Sequence, residues 1–319
     1  MDNQLLLDTG LEYDINDFSK KSIVLRDGRE SVLWVHEPTG HGILDRKHWE
    51  NIDEDYYKED YRQQSSTNAK GGFVEPREHL SICEKLNKRQ YEQFSDRVNK
   101  DTKYLEVGCS FGGVAKNVLD FGVEVCDVVE PNKVDAEFIK ENFDEITVYN
   151  DLLENVNIDK KYNLVVSFEV LEHAISPIEF LKKCNNLMDK GGFINIEVPN
   201  HDDVILRYNT DRYKDFYYHK AHIHYFTDKS LNDICSMAGF DGSVSSFLYY
   251  PFFNHVFWLQ NNKPQNSAKL ALHTPLPTDG KNEIDVELNN FYSEVEDRYD
   301  KLINKHTLGD CLVFKGQKI

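Results

Sequence analysis

The stretch Leu105-Glu106-Val107-Gly108-Cys109-Ser110-Phe111-Gly112-Gly113 decides how this 319-residue chain folds. Tyr104–Gly108 is a short apolar run ending in a glycine turn, and Gly113–Phe121 has helical spacing. A strand that ends in glycines lets a ligand reach the backbone where a Cβ would block it. Dinucleotide-binding turns follow G-x-G-x-x-G, with phosphate at the helix N-terminus. Here the order is Glu106-x-Gly108-x-x-x-Gly112, with a carboxylate inside the strand. Such a carboxylate repels pyrophosphate and suits a cation, so the turn points to a phosphate-free, positively charged nucleoside.

Outward from this turn, strands and helices alternate. Val123–Val129, Ile146–Tyr149, Tyr162–Phe168 and Gly192–Val198 read as strands, the last following the Gly191-Gly192 turn. Val134–Phe143, Pro177–Met188 and Ser230–Ala238 read as helices, and Gly239 stops the last. This alternation predicts an α/β fold, a doubly wound sheet of about seven strands with helices on both faces. Cys311–Phe314 is a short strand that completes it. The predicted division is an N-terminal appendage over 1–100 and a main domain over 101–319, with a lid at 201–229 and an insertion at about 260–283. Within the appendage, Ser22–Arg26 and Ser31–His36 form a hairpin around Asp27-Gly28. An aromatic-dotted stretch, Trp49 to Tyr61, and a turn-rich Ser65–Gly72 follow, then a helix from Pro76 to about Val98.

Ligands of such sheets bind at the carboxyl ends of the strands. Glu130 lies 22 residues after Gly108, where an acid accepts both ribose hydroxyls in this architecture. Asp151 closes the third strand, placed to accept the exocyclic amine of adenine. Either acid alone is as readily a helix N-cap; three acids in register at successive strand ends make a site.

The stretch from about Lys103 to Phe240 resembles the class I S-adenosylmethionine-dependent methyltransferases. Their glycine turn is similar to Glu106–Gly113, their ribose acid to Glu130, and their adenine-side acid to Asp151 in Asn150-Asp151-Leu152. The ubiquinone-biosynthesis O-methyltransferase type shows motifs like Phe168-Glu169-Val170-Leu171-Glu172-His173 and Val198-Pro199-Asn200. Related bacterial sugar and capsule-type enzymes continue with a segment resembling His222-Ile223-His224-Tyr225-Phe226-Thr227. The resemblance covers roughly 140 of the 319 residues. It implies a Rossmann-like fold and S-adenosylmethionine as cofactor. Glu106, Gly108, Cys109 and Gly112 would take the methionine end, Glu130 the ribose, and Asp151 with Leu152 the adenine. Phe168 and Glu169 would border the transferred methyl. The Cys-x-x-Cys zinc module of many sugar and capsule-type relatives is missing, so no metal is expected. The fourth strand ends in Ser167-Phe168-Glu169-Val170, not the Asn/Asp-Pro-Pro-Tyr/Phe of many DNA adenine and glutamine-amide methylases.

Composition narrows the partners. The chain carries 37 basic and 55 acidic side chains, a formal charge of −18. Extended nucleic-acid contact needs clustered Lys and Arg, and this balance argues against it. With 40% apolar residues the chain can bury a sizeable core. The closest two of its six cysteines stand 17 residues apart, which gives no disulfide framework and no zinc ribbon. Met1–Asp8 lacks the pattern of a signal peptide, and Phe247–Leu259 is too short to span a bilayer. A cytoplasmic protein without membrane attachment is expected.

Methyl transfer to a hydroxyl needs close positioning and a base, a role that histidine fills at neutral pH. His173 follows the fourth strand, as a base or as a structural residue of the next turn. His222 and His224, with His219 nearby, lie on the acceptor side and share one face if Ile223–Phe226 is extended. Their spacing also permits a metal pair, with Asp202 or Asp203 as third ligand. Seven aromatics between Tyr208 and Phe226 form either an acceptor-facing lid or a small core under a loop. Arg207, Arg212, Lys214 and Lys220 are candidates for gripping an anionic handle. The expected function is O-methylation of a small molecule: a sugar, nucleotide-sugar or surface-polysaccharide precursor, with a quinone or phenol second. A catalytically idle S-adenosylmethionine-binding subunit is the rival, and the missing G-x-G-x-x-G counts against a dehydrogenase. The appendage and the insertion would shape the acceptor pocket or a homodimer contact.

Overall fold

The computed structural model describes residues 1, 3–49, 55–61, 74–208, 211–273 and 280–319, which carry eleven strands in two sheets. The strands are β1 (Phe18–Val24), β2 (Glu30–His36), β3 (His41–Leu44), β4 (Lys103–Val107), β5 (Val125–Val129) and β6 (Thr147–Tyr149). They continue with β7 (Tyr162–Phe168), β8 (Met188–Pro199), β9 (His224–Tyr225), β10 (Phe240–Phe247) and β11 (Cys311–Lys318). The larger sheet has the order β10-β11-β8-β7-β4-β5-β6. Neighbours from β8 to β6 pair in parallel, and β11 runs antiparallel to both β8 and β10. Strands such as β7, with Leu164 to Val166 fully buried, are apolar on both faces because helices cover both sides. Sequence order reverses between β4 and β7, which opens a crevice at their carboxyl ends.

Helix ends follow local side-chain chemistry. Asn132 accepts from Val134 N and Asp135 N to start the Lys133–Asn142 helix. Thr227 and Ser230 form a capping box ahead of Asp228–Met237. The helix beginning at Pro76 ends at Glu92, earlier than its apolar spacing suggests, because the chain turns at Phe94, which is fully buried.

Two features of the large sheet were hidden in the sequence. Phe240–Phe247 contains Gly242 and three serines and has no apolar run, yet pairs with β11 over all eight residues. The strand expected at Cys311–Phe314 extends to Lys318 because β8 and β10 supply partners on both edges. Asn200 is fully buried after β8, its Nδ2 donating to Thr307 O and Gly309 O at 3.1 and 2.8 Å. This side chain fastens the turn that leads into β11. A helix at Phe252–Asn261 leads into the expected insertion, which itself carries a short helix at Ala268–Leu272. Residues 50–54 and 274–279 and the turn-rich Ser65–Gly72 lie outside the described residues. No described helix is long and apolar enough to cross a membrane.

The smaller sheet has the order β1-β2-β3-β9, so the N-terminal hairpin takes its last strand from the expected lid. A buried chain of hydrogen bonds holds this junction. Tyr13 OH meets His41 Nδ1 at 3.3 Å, His41 Nε2 meets His224 Nδ1 at 3.1 Å, and His224 Nε2 meets Ile175 O at 3.2 Å. Because Ile175 O can only accept, His224 carries its proton on Nε2; His41 then donates from Nε2 and accepts from Tyr13. An added proton on either ring removes an acceptor from the chain.

Burial pushes the His224 imidazole down to about 4, against 6.5 for the free side chain. The unfolded chain therefore binds this proton first, and stability is lost as pH falls from about 6.5 to about 4. The loss is on the order of 3 kcal/mol for this one group. His224→Gln removes the linkage, so urea midpoints measured across that window should fall less steeply with pH than in wild type.

Candidate active site

The loop after β4 is shaped by backbone that tolerates no side chain. Gly108 has φ +76°, and a Cβ there would lie 2.3 Å from Val170 Cγ2. Gly112, at φ +74°, opens the Gly113–Phe121 helix. Ser110 also takes a left-handed conformation, φ +52°, with its N–H donating to Glu130 Oε2 at 2.8 Å. Glu130 Oε1 accepts from Asn132 N, also at 2.8 Å. Two backbone amides thus hold the carboxylate at the end of β5.

A cavity of about 800 Å³ lies over this loop. Glu106, Gly108, Cys109, Glu130, Leu152, Phe168, Glu169 and His173 all line it, so the structure brings most of the expected residues together. Gly112 shapes the helix start without lining the cavity. Burial pushes the Glu106 carboxyl up to about 8, although Tyr104 OH donates to it at 2.9 Å. Burial likewise pushes the Cys109 thiol up, which makes it an inert packing group. Among the described residues that line the cavity there is no lysine or arginine.

Asp151 sits at the rim. Its Oδ1 accepts from Leu152 N at 2.8 Å and pairs with Lys58 Nζ at 2.9 Å, and that pairing holds the carboxyl below its ordinary range. The Lys58 carbonyl also accepts from Asn132 Nδ2, at 3.2 Å. These contacts anchor the short helix Tyr56–Asp60 across the cavity, and Tyr57 and Tyr61 line its wall.

At the other end, Glu169 closes β7 with φ +55° and accepts from Cys311 Sγ at 3.3 Å. Burial, then the nearby Glu172 and Glu197 carboxyls, push Glu169 upward. Glu197 is held by Gln90 Nε2 and Gln93 Nε2 at 2.7 and 2.5 Å. His173 Nδ1 faces Ala221 O at 2.9 Å, so Nδ1 carries the proton and Nε2 keeps a lone pair, 3.5 Å from Tyr61 OH. Burial pushes this imidazole down to about 4.

The expected lid is arranged differently. His222 packs edge-on to His173, with ring centres 4.8 Å apart, and His224 has both nitrogens bonded inside the chain. Neither lines the cavity, and among the described residues His222 gathers with Glu172 and His173 rather than with His224 as a candidate cation-ligand group. Asp203 caps the Val204–Arg207 helix and accepts from Tyr213 OH, away from both. None of the seven lid aromatics lines the cavity: six pack into cores and Tyr208 is exposed. Arg207, Arg212, Lys214 and Lys220 lie outside it too.

A family model described as a methyltransferase domain matches residues 77–243, just over half of the chain. The chain belongs to the class I S-adenosylmethionine-dependent methyltransferases. Among curated relatives, a ubiquinone biosynthesis O-methyltransferase of Glaesserella parasuis serovar 5 is 24% identical over 126 residues, 36% of this chain and 53% of that protein. One from Rickettsia bellii is 31% identical over 103 residues, 31% of this chain and 40% of that protein. The chain thus spans about half or less of these relatives. Among solved structures, a SAM dependent methyltransferase from Archaeoglobus fulgidus is similar with a TM-score of 0.47 and 18% identity, covering 74% of this chain and 94% of that one.

The site of this methyltransferase fits its cofactor, S-adenosylmethionine. The Gly108 cradle admits a ligand against backbone, Glu130 presents a fixed carboxylate suited to a diol, and no lysine or arginine among the described residues pairs with buried Glu106, which suits a bound ammonium. Several lining residues escaped the sequence reading. Tyr57 and Tyr61 lay in a stretch noted only for its aromatics, Leu80 and Leu86 fell within the helix expected from Pro76, and Tyr249 carried no signal at all.

Gly108→Ala places a Cβ against Val170 in a left-handed backbone, which costs about 1–2 kcal/mol before any ligand is met. Titration calorimetry should show S-adenosylmethionine affinity reduced at least about tenfold, with far-UV circular dichroism unchanged.

Proposed function

We propose that this methyltransferase acts on a hydroxyl of an uncharged, ring-shaped small molecule, with His173 as the base. The observation that carries this is the fixed tautomer of His173, a cavity-lining residue: Nδ1 is committed to Ala221 O, which leaves Nε2 unprotonated. The bound cofactor supplies an electrophilic methyl group on a positively charged sulfur. Gly108 and Glu106 hold its methionine end, Glu130 its ribose, and Leu152 with the Asp151 turn its adenine. Phe168 and Glu169 close the wall beside the transferred group. Tyr57 and Tyr61 exclude water from above, which strengthens the electrostatic contacts inside. Burial keeps His173 neutral at pH 7, so its unprotonated Nε2 takes the acceptor's proton once the acceptor's hydroxyl replaces that of Tyr61.

The lining also bears on the acceptor. An anionic handle such as a nucleotide diphosphate meets carboxylates here and, among the described lining residues, no cation. That favours a phenol, or an unphosphorylated sugar, over the nucleotide-linked sugar expected from the His-rich segment. The names of the similar ubiquinone biosynthesis O-methyltransferases support the phenol. A reducing, cytoplasmic setting suits the six free cysteines.

The test is transfer of labelled methyl from S-adenosylmethionine to catechol, to a free hexose and to a nucleotide hexose. Methylation of catechol or the free hexose is expected. His173→Gln should then lower kcat about 10²- to 10⁴-fold with cofactor affinity retained. Cofactor binding without transfer to any acceptor would instead favour the idle-subunit alternative.

A further inference from the structure

The helix Glu283–Lys305 has 23 residues and spans about 35 Å. One face of it is fixed to the body. Tyr292 packs on Phe253 with ring centres 5.4 Å apart, and Glu296 Oε1 accepts from Phe252 N at 2.8 Å. Tyr299 OH meets His255 Nδ1 at 2.9 Å, and Ile303 is buried. A second stripe runs one residue behind this face: Ile284, Leu288, Phe291, Val295, Arg298 and Leu302. Its steps alternate between four and three residues, the spacing by which two helices share a seam. Yet Ile284, Leu288, Phe291 and Leu302 are 68, 42, 59 and 55% exposed. A continuous apolar stripe left in water marks a contact surface.

We propose that this stripe is the contact between two copies of the chain, with their helices packed antiparallel about a two-fold axis. The charges on the helix select both the partner and the direction. Between Glu283 and Asp297 it carries six acids and no base, whereas Arg298, Lys301 and Lys305 stand in its last eight residues. Antiparallel packing sets the acidic part of each helix against the basic end of the other. Parallel packing would put acid beside acid and Arg298 on its own copy. Among the described residues, no ion pair within the chain uses Glu287, Arg298 or Lys301, so these charges are available to a second copy.

The seam fits this direction in one register, centred on Ser293. Ile284 then meets the partner's Leu302, Phe291 meets the partner's Val295, and Leu288 is covered by the stem of the partner's Arg298. Two-fold symmetry makes each contact twice. Beside the seam, Glu287 comes level with the partner's Lys301. Within one helix these two side chains stand about 21 Å apart and cannot meet. Glu294 comes level with its own copy at the centre, a repulsion that costs some affinity. Burial of the apolar stripe supplies the attraction, and the charge pairs fix orientation. The helix also bears on the site: Asp300 Oδ1 lies 3.6 Å from Arg89 Nη2 on the Pro76–Glu92 helix, whose Leu80 and Leu86 line the cavity. A dimer through this face braces the wall of each cavity from behind.

Sedimentation equilibrium of the full chain tests this. Wild type should approach twice the mass of one chain at about 100 μM. Phe291→Glu changes an exposed position, so it should be monomeric at that concentration with an unchanged melting temperature. Lys301→Glu and Glu287→Lys should each weaken the dimer at least about tenfold, and the double exchange should restore it. Glu294→Cys should give a disulfide-linked dimer on mild oxidation, as the antiparallel register requires. A monomeric wild type would overturn the proposal, and binding of that monomer to phosphatidylcholine vesicles would assign the stripe to a membrane surface instead. A dimer indifferent to Phe291→Glu would overturn it as well, because the contact would then lie elsewhere. If the double exchange does not restore what the single exchanges weaken, the antiparallel register is wrong.

Discussion

The close approach of Gly108 to Val170 is the constraint on which the site depends. It occurs where the sheet changes direction, so the loops after β4 and β7 must pass each other without a side chain between them. Gly108 meets this with φ +76°, and Glu169, just before Val170, turns left-handed at φ +55° on the opposite side. Two backbone turns in sparsely populated conformations thus form the floor of the cavity. Glu130 locks the arrangement from the next strand by accepting from Ser110 N and Asn132 N. One carboxylate therefore both shapes the loop and offers itself to the ligand.

A single physical cause sets the electrostatics of the whole region. Burial disfavours charge, which moves carboxyls up and imidazoles down. Glu106, Glu172 and Glu197 rise to about 8, 8 and 7, while His173, His201 and His224 fall to about 4. The molecule has a formal charge of −18, but Glu106 and His173 in the cavity wall, and several buried groups behind it, sit close to neutral at physiological pH. A cationic ligand or a transferred proton enters such a site with little competing charge.

The N-terminal segment belongs to this machinery through specific bonds. Lys58 ties the Tyr56–Asp60 helix to Asp151 and Asn132, beside the cavity-lining Leu152 and Glu130. The His41–His224–Ile175 chain joins the smaller sheet to the loop after β7. Ile175 is itself a lining residue, so the hairpin supports the wall from outside.

The sequence by itself determined the alternation of strands and helices, the glycine turn, and the acids at successive strand ends. These follow from local chemistry: strand and helix periodicity, glycine's freedom at positive φ, and caps such as Asn132. The Gln90 and Gln93 contacts to Glu197 join residues more than a hundred positions apart, and nothing local announces them. β10 was invisible for the same reason, since its pairing depends on β11, some seventy residues later. Only the tertiary structure decided which histidine meets the cavity. His173, His222 and His224 are equivalent by residue type, yet packing leaves one lining the cavity, a second against the first, and a third bonded into the N-terminal sheet. Spacing along the chain does not encode those partners, because each ring's role is set by atoms that distant strands bring to it.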